Sequence, residues 1–230
     1  MSKLLLDGDI VAYRAAYSTN NDFTEDAIDK IDEIIEYILL DTMFEPNQEM
    51  MEVFLTGRGN FRFDLVDNYK ANRKGVERPI HLQAIRDHMV ENWSAIVSVD
   101  EEADDMIGIR ATQIGKHTVV ASIDKDMLQI PCMHYNLWRK TWTQVNEWDG
   151  LFFFYEQILT GDKADNIIGL HGVGPVKARK VLEGATTEQE LFDRCVTKYD
   201  GDRDKVIENG RLLWLRREEG QLWSPPDEVS

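Results

Sequence analysis

The chain is poor in cysteine, in positive charge and in long apolar runs, and each shortage excludes a class of protein. Its two cysteines, Cys132 and Cys195, form no CxxC pair, so neither a disulfide framework nor a cysteine zinc site is indicated. No stretch approaches the roughly 18 uncharged residues of a membrane span, and the apolar run before Asp7 is too short for an export signal. The sequence therefore predicts a cytoplasmic protein that does not associate with a membrane.

Positive charge is scarce, with 26 Lys and Arg against 42 Asp and Glu, and the formal net charge is −16. This balance argues at first against nucleic-acid binding, which normally requires a basic surface. The objection weakens if the acids are concentrated where divalent cations can neutralise them. Many of the acids do fall in a few clusters, so the distribution of charge must decide the question.

Apolar spacing divides most of the chain into alternating strands and helices. Short apolar runs predict strands at residues 3–6, 51–55, 95–99 and 118–123. Helical spacing is most regular from Thr24, a candidate N-cap, to Met43. The phrase TGRGN should end the second strand, and another helix should begin near Pro79. Strands that alternate with helices imply a mostly parallel sheet.

The pattern changes after Met133, where a strand or hairpin is expected, and helical spacing dominates from Trp148 to Arg217. A chain of 230 residues fits one principal core with an appended lobe. We therefore expect an α/β lobe at residues 1–150 and a helical lobe at residues 151–230.

Acidic side chains follow three of the predicted strands directly. The groups are Asp7 and Asp9, then Glu101, Glu102, Asp104 and Asp105, then Asp124 and Asp126. Because the carboxyl ends of parallel strands share one edge of a sheet, these groups should converge on one pocket. Any single acid could instead serve a helix start, where Asp and Glu are favoured. That simpler explanation is weaker for the set than for one residue.

So many like charges need cations, and carboxylate oxygens suit Mg²⁺, with Mn²⁺ as a substitute. Two such ions can activate a water molecule and stabilise the leaving oxygen of a phosphoryl transfer. The acidic edge therefore predicts metal-dependent hydrolysis of phosphodiester bonds.

A fourth acidic pair, Asp162 and Asp165, precedes a glycine-rich phrase, GLHGVGPVKARK. A helix starting at Pro175 would point its free N–H groups outward beside basic side chains, which is typical of a phosphate-backbone site. No Gly-Lys-Ser/Thr phrase occurs, so nucleoside triphosphate binding is not indicated.

Five phrases together resemble the 5′ nuclease or flap-endonuclease family, which includes bacteriophage 5′-to-3′ exonucleases and the 5′ nuclease domain of bacterial DNA polymerase I. They are LLLDGDIVAYRA, FRFDLVDNYKANRKG, EEADDMIG, ASIDKDMLQI and TGDKADNIIGLHGVGPVKARKVL, in the family's order. The resemblance covers nearly the whole chain. It implies an α/β fold of the PIN-like 5′ nuclease type, a mostly parallel twisted sheet flanked by helices, with a C-terminal helical lobe that contains a helix-two-turn-helix DNA-binding element.

The resemblance assigns metal binding to eight acids. They are Asp7, Glu102, Asp104, Asp105, Asp124, Asp126, Asp162 and Asp165, of which the first five would hold the inner ion or ions.

Basic residues are assigned to DNA by the same resemblance. Tyr69, Lys70 and Arg73, followed by Lys74, match the base of a short helical arch at about residues 69–92, where basic side chains meet the scissile phosphate. Lys70 and Arg73 are the candidate catalytic cations, since a cation there stabilises charge that develops on phosphate. The helix-two-turn-helix at about residues 160–184 would grip duplex DNA, in several family members with a bound K⁺. Its candidate DNA contacts are Gly172, Gly174, Lys177, Arg179 and Lys180.

One position departs from the family pattern. Polymerase-type members carry an Asp at the end of the second strand, where this chain has Leu55, which cannot bind metal. Asp9 stands where many relatives have a small residue, so we hypothesise that it supplies the missing carboxylate.

The resemblance implies a magnesium-dependent 5′-to-3′ DNA exonuclease or flap endonuclease whose substrate has a free 5′ end, duplex or flap. Phage DNA replication, primer removal or host DNA degradation would use such an activity, in the host cytoplasm for a phage protein. Two alternatives remain. A PIN-type ribonuclease would generally lack the glycine-rich element and the YKANR segment, and a noncatalytic DNA-structure-binding protein with a decayed metal site is favoured only by Leu55.

Overall fold

A six-stranded sheet organises the first two thirds of the chain in the computed structural model, which describes residues 2–47 and 49–228. The strands are β1 (Lys3–Asp7), β2 (Met51–Arg58), β3 (Ile96–Val99), β4 (Thr118–Ser122), β5 (Met133–Asn136) and β6 (Thr141–Gln144). Their order is β3-β2-β1-β4-β5-β6, and only β6 runs antiparallel to its neighbour. The predicted mostly parallel sheet is confirmed.

Helices cover both faces of this sheet and then form a separate cluster. They are α1 (Gly8–Ser18), α2 (Thr24–Thr42), α3 (Arg62–Leu65), α4 (Leu82–Trp93), α5 (Ala103–Ile114), α6 (Glu147–Thr160), α7 (Pro175–Leu182), α8 (Glu188–Lys198) and α9 (Arg203–Leu213). A two-strand ladder, β7 (Gly161–Asp162) with β8 (Ile167–Ile168), follows α6. None of the helices in the described ranges is long and apolar enough to cross a membrane.

Side-chain alternation along β1 explains why both faces are covered. Leu4 and Leu6 pack with α1, α2 and α4 on one face, whereas Leu5 packs with α5 on the other. The last four helices build a further core around Phe154 and Phe192. The chain after α9 then returns to the sheet, where Leu215 joins the α5 side.

The connection from β1 to α1 requires glycine. A Cβ atom on Gly8 would lie 2.5 Å from the carbonyl oxygen of Phe54 on β2, which is too close for any side chain. The Asp7 carboxylate caps α1 by accepting from the N–H of Ile10 at 3.2 Å. The first acid of the chain is therefore fixed at the carboxyl edge of the sheet.

Three local predictions need correction. Thr24 is the first helical residue and not the N-cap, because the Asp26 carboxylate accepts from the N–H of Phe23 instead. Strand β2 continues to Arg58, since the N–H of Gly57 bonds to Ser98 Oγ at 2.9 Å and a register shift accommodates β3. Helix α4 begins at Leu82, three residues after Pro79.

Candidate active site

The acids that follow β1, β3 and β4 converge at the carboxyl edge of the sheet, as the topology requires. Burial raises the pKa of Asp7 to about 7, with further contributions from the charges of Asp9 and Asp124. Burial also raises the pKa of Asp104 well above its usual range, followed by the charges of Asp7, Asp124 and Glu102. These carboxylates are therefore close enough to repel one another.

Three of them, Asp7, Asp104 and Asp124, lack a positively charged partner. Asp7 accepts from Ser122 Oγ at 2.6 Å, and Asp124 accepts from the N–H of Asp126 at 2.9 Å. Within residues 2–47 and 49–228, no Lys or Arg nitrogen lies at ion-pair distance from any of the three. We call them the inner carboxylates.

The chemistry of the inner carboxylates fits a divalent cation, because they are hard oxygen donors that lie close together and that no described Lys or Arg pairs with directly. They do not form a finished ligand cage: in the described part of the chain, no three His, Cys, Asp or Glu side chains have the geometry of a metal site. The structure thus brings these donors to one edge without arranging the described side chains in a metal-binding geometry.

The remaining predicted ligands are each paired with a cation. Lys70 pairs with Glu102 and lies 3.4 Å from Asp165, which Arg73 also contacts. Lys125, which lies between two acids in the sequence, bridges Asp162 at 2.8 Å and Asp126 at 3.2 Å. A second set of carboxylates therefore surrounds the inner three with its charge already neutralised.

Asp105 is turned away from this edge and buried with Arg62. Its two oxygens accept from the two terminal nitrogens of Arg62 at 2.6 and 2.9 Å. The N–H groups of Glu102 and Arg216 bond to the same carboxylate at 3.2 Å each. The Arg62 guanidinium lowers the pKa of Asp105 despite burial, which by itself would raise that pKa. These four hydrogen bonds occupy the carboxylate oxygens of Asp105, so Asp105 has no free lone pair to offer a metal ion.

Asp9 lies at the end of β2, although it belongs to α1. One carboxylate oxygen accepts from the N–H of Thr56 at 2.9 Å, and the other pairs with Arg86 of α4. A second nitrogen of Arg86 donates to the carbonyl oxygen of Thr56.

Tyr69 and Lys70 are docked against the acids, whereas Arg73 is exposed. Tyr69 is only 3% exposed, and its hydroxyl bridges Glu102 at 3.1 Å and Asp165 at 3.0 Å. Lys70 has a left-handed backbone (φ 52°), and its N–H donates to the carbonyl of Asp165 at 2.9 Å. This conformation aims the Lys70 ammonium at the acidic edge, whereas Lys74 is exposed.

The glycine-rich element leads into α7 as predicted. Gly172 has a left-handed backbone (φ 70°), Gly174 is the N-cap and Pro175 is the first helical residue. Lys177 donates to the carbonyl of Gly172 at 2.8 Å, so its charge lies close to this turn. Lys180 is exposed, and Arg179 is exposed but pairs with Glu156 at 2.8 Å.

Three cations that pair with the acids were missed from the sequence as site residues: Arg62, Arg86 and Lys125. Arg62 stands in a family phrase and Lys125 stands between two acids, so each carried a signal. Arg86 carried none, because its partner Asp9 is 77 residues away.

Comparisons with known proteins show what the chain is similar to. Residues 2–153 match the family described as 5′-3′ exonuclease, N-terminal resolvase-like domain. The chain is 29% identical over 172 residues to the flap endonuclease Xni of Shewanella piezotolerans, which covers 67% of this chain and 66% of that protein. It is 28% identical over 216 residues to the DNA polymerase I of Bacillus caldotenax, covering 82% of this chain and 24% of the polymerase.

Among solved structures, the 5′-exonuclease of bacteriophage T5 with bound zinc has a TM-score of 0.70 at 16% identity, covering 93% of this chain and 89% of the phage protein. The flap endonuclease of the same phage, in a complex with DNA and metal ions, has a TM-score of 0.67. At this level of identity the likeness shows a shared fold, and the predicted 5′ nuclease fold is confirmed.

Proposed function

Because this chain belongs to the 5′-3′ exonuclease family, we propose that it hydrolyses DNA phosphodiester bonds near a free 5′ end with the help of Mg²⁺, which Mn²⁺ can replace. The observation that carries the proposal is the set of three inner carboxylates, which lie together with no Lys or Arg of the described residues at ion-pair distance. A bound divalent ion supplies there the positive charge that activates water and stabilises the leaving oxygen. Zinc in the phage 5′-exonuclease supports a divalent site of this kind.

We assign the inner ion to Asp7, Asp104 and Asp124, with Glu102 joining them when Lys70 leaves it for a phosphate oxygen. Asp126, Asp162 and Asp165 form the outer part of the site. Asp105 is not proposed as a ligand: paired with Arg62, it instead positions the start of α5, which carries Glu102 and Asp104.

Lys70 and Arg73 are the proposed catalytic cations. Lys70 lies between Glu102 and Asp165, so a phosphate that enters this edge meets an ammonium group already aimed at the carboxylates. Its charge would stabilise the charge that develops on the phosphate in the transition state. Tyr69 fixes the position of this segment through its two carboxylate partners, and exposed Lys74 would meet the strand outside the site.

The turn before α7 is the proposed grip on the DNA backbone, through the N–H groups of Gly172 and Gly174 and the side chains of Lys177, Arg179 and Lys180. Such contacts read no sequence. The phage flap endonuclease, whose structure contains DNA, supports DNA as the bound molecule. A K⁺ ion at the turn stays a prediction, since it would have to displace Lys177 from the carbonyl of Gly172.

The proposal is tested with duplex and flap DNAs labelled at the 5′ or the 3′ end, incubated with Mg²⁺ or with EDTA. We expect Mg²⁺-dependent release from the labelled 5′ end, and product sizes that separate exonuclease from flap cutting. The same sequences made as RNA are the control for a ribonuclease. Tight DNA binding without cleavage in Mg²⁺ or Mn²⁺ would overturn the proposal in favour of a noncatalytic binding protein.

Metal binding should also stabilise the fold in a pH-dependent way. The folded-state pKa of Asp7 is raised from 3.8 to about 7. Asp7 therefore contributes stability to the fold that is fully present below pH 3.8 and is lost as pH rises through 7. A divalent ion binds the ionised form and should reverse that loss. We expect Mg²⁺ at about 100 times its Kd to raise Tm by roughly 5–10 °C at pH 8.

The matching measurement at pH 5 should give a much smaller Mg²⁺ effect, because protons then compete for Asp7. Thermal unfolding followed by circular dichroism, with Mg²⁺ or EDTA, measures the Tm shift at each of the two pH values. An Mg²⁺ shift of equal size at the two pH values would contradict the assignment of Asp7 to the ion.

A further inference from the structure

Strand β2 lies between β3 and β1, yet its carboxyl end contributes no acid to the site. Leu55 is fully buried in the core shared with α1, α2 and α4. The Thr56 hydroxyl accepts from the N–H of Ala103 at 3.0 Å and so caps the start of α5. The acidic edge therefore has a gap at β2 that neither side chain can fill.

Asp9 fills this gap from the neighbouring helix. Its carboxylate is anchored by the N–H of Thr56 at 2.9 Å. It is also near enough to Asp7 for its charge to raise the Asp7 pKa. Asp9 is thus beside an inner carboxylate and at the end of β2 at the same time.

Arg86 makes two contacts here. One nitrogen donates to the Asp9 oxygen that the Thr56 N–H does not use, and another donates to the carbonyl oxygen of Thr56. The side chains are only 17% and 23% exposed, so water screens their charges poorly. The flanking α4 residues Ile85 and Met89 are fully buried in the core, which fixes the helix that carries Arg86. The guanidinium is held at the edge by packing as well as by charge.

We propose that Arg86 is an internal counter-ion that holds Asp9 in position at the end of β2 and gives it up to a divalent cation. Arg86 is then a positioning residue and Asp9 a ligand. The inference rests on the proposed function, because it requires that the inner carboxylates bind a divalent ion. A divalent ion at the edge competes with the Arg86 guanidinium for one Asp9 oxygen and also repels that guanidinium. The Arg86–Asp9 ion pair and the bound ion therefore exclude each other.

The test is Mn²⁺ binding to the DNA-free protein at pH 7.5, measured by isothermal titration calorimetry on four proteins. They are the wild type, Arg86→Met, Asp9→Asn and the double variant. We expect Arg86→Met to tighten Mn²⁺ binding about tenfold, since a competing cation is removed, and Asp9→Asn to weaken it about tenfold. In the Asp9→Asn background, Arg86→Met should change the affinity less than twofold, because the contested carboxylate is gone.

Arg110→Met is the matched control, because it removes an arginine that pairs with Glu52 at 2.7 Å on the far end of β2. It should leave Mn²⁺ affinity unchanged. If Arg86→Met does not fold, as judged by circular dichroism, Arg86→Lys decides the question. Lysine cannot hold Asp9 and Thr56 at once, so this variant should still bind Mn²⁺ more tightly than the wild type.

Two negative results are distinguishable. If Arg86→Met lowers Tm but leaves Mn²⁺ affinity within twofold of the wild type, Arg86 is merely structural and the inference is wrong while the proposed function stands. If the wild type binds no Mn²⁺ at all, the proposed metal site itself fails.

Discussion

Replacing Asp104 with Asn is expected to lower kcat for Mg²⁺-dependent DNA cleavage by about a thousandfold or more, comparable to the removal of a principal group that stabilises transition-state charge. Asp104 is one of the three inner carboxylates, and its raised pKa has burial as the largest cause, then the charges of Asp7 and Asp124. The amide keeps the shape of the side chain but removes the charge that a divalent ion requires. DNA affinity, measured in Ca²⁺ by fluorescence anisotropy, should stay within about threefold, since the proposed DNA contacts are elsewhere.

The same variant should stabilise the metal-free protein, which a damaged fold would not do. At pH 8 in EDTA, Asp104 is surrounded by like charges and no Lys or Arg of the described chain lies at ion-pair distance from it. Neutralising it should therefore raise Tm. Asp29→Asn, on the exposed side of α2, is the matched control and should change neither kcat nor Tm. Full activity of Asp104→Asn would remove this residue from the site.

The convergence of acids could be predicted from the sequence because it follows from topology alone. Asp7 ends β1 and Asp124 lies two residues after β4, and these neighbouring parallel strands end at one edge. The start of α7 at Pro175 was also predicted, from the preference of proline for the first helical position.

The sequence could not show which acids would be inner carboxylates and which would pair with a Lys or Arg, because the pairing cations are distant in sequence. Asp104 and Asp105 are adjacent, yet a helix rotates consecutive side chains by about 100°, so one faces the acidic edge and the other the interior. Which of the two is paired was decided by Arg62, which lies 43 residues away from Asp105. Likewise Asp9 could be suspected as a ligand, but nothing in the sequence marked Arg86 as its partner.

Arg62 is expected to be the most costly single side chain to remove for stability. It is 1% exposed and donates to Asp105 as well as to the carbonyl oxygens of Leu212 and Trp214, each at 2.8 Å. Arg62→Met would leave the Asp105 carboxylate buried without its cation. Breaking such a pair costs about 3–5 kcal/mol of unfolding free energy. Urea denaturation of the wild type and the variant in EDTA at pH 7 measures this loss of unfolding free energy.

The double variant Arg62→Met with Asp105→Leu separates the cost of the uncompensated Asp105 charge from the rest of the lost stability. If the uncompensated charge dominates, removing both partners should recover a large part of the lost stability, because apolar replacements of a buried pair are often tolerated. Activity should not recover with it. Arg62 ties α3, the start of α5 and the segment after α9 into one unit, and Asp104 is placed by that unit. A double variant with restored stability and wild-type kcat would show that the pair serves folding alone, whereas restored stability with low kcat would show that the pair also positions the inner carboxylates.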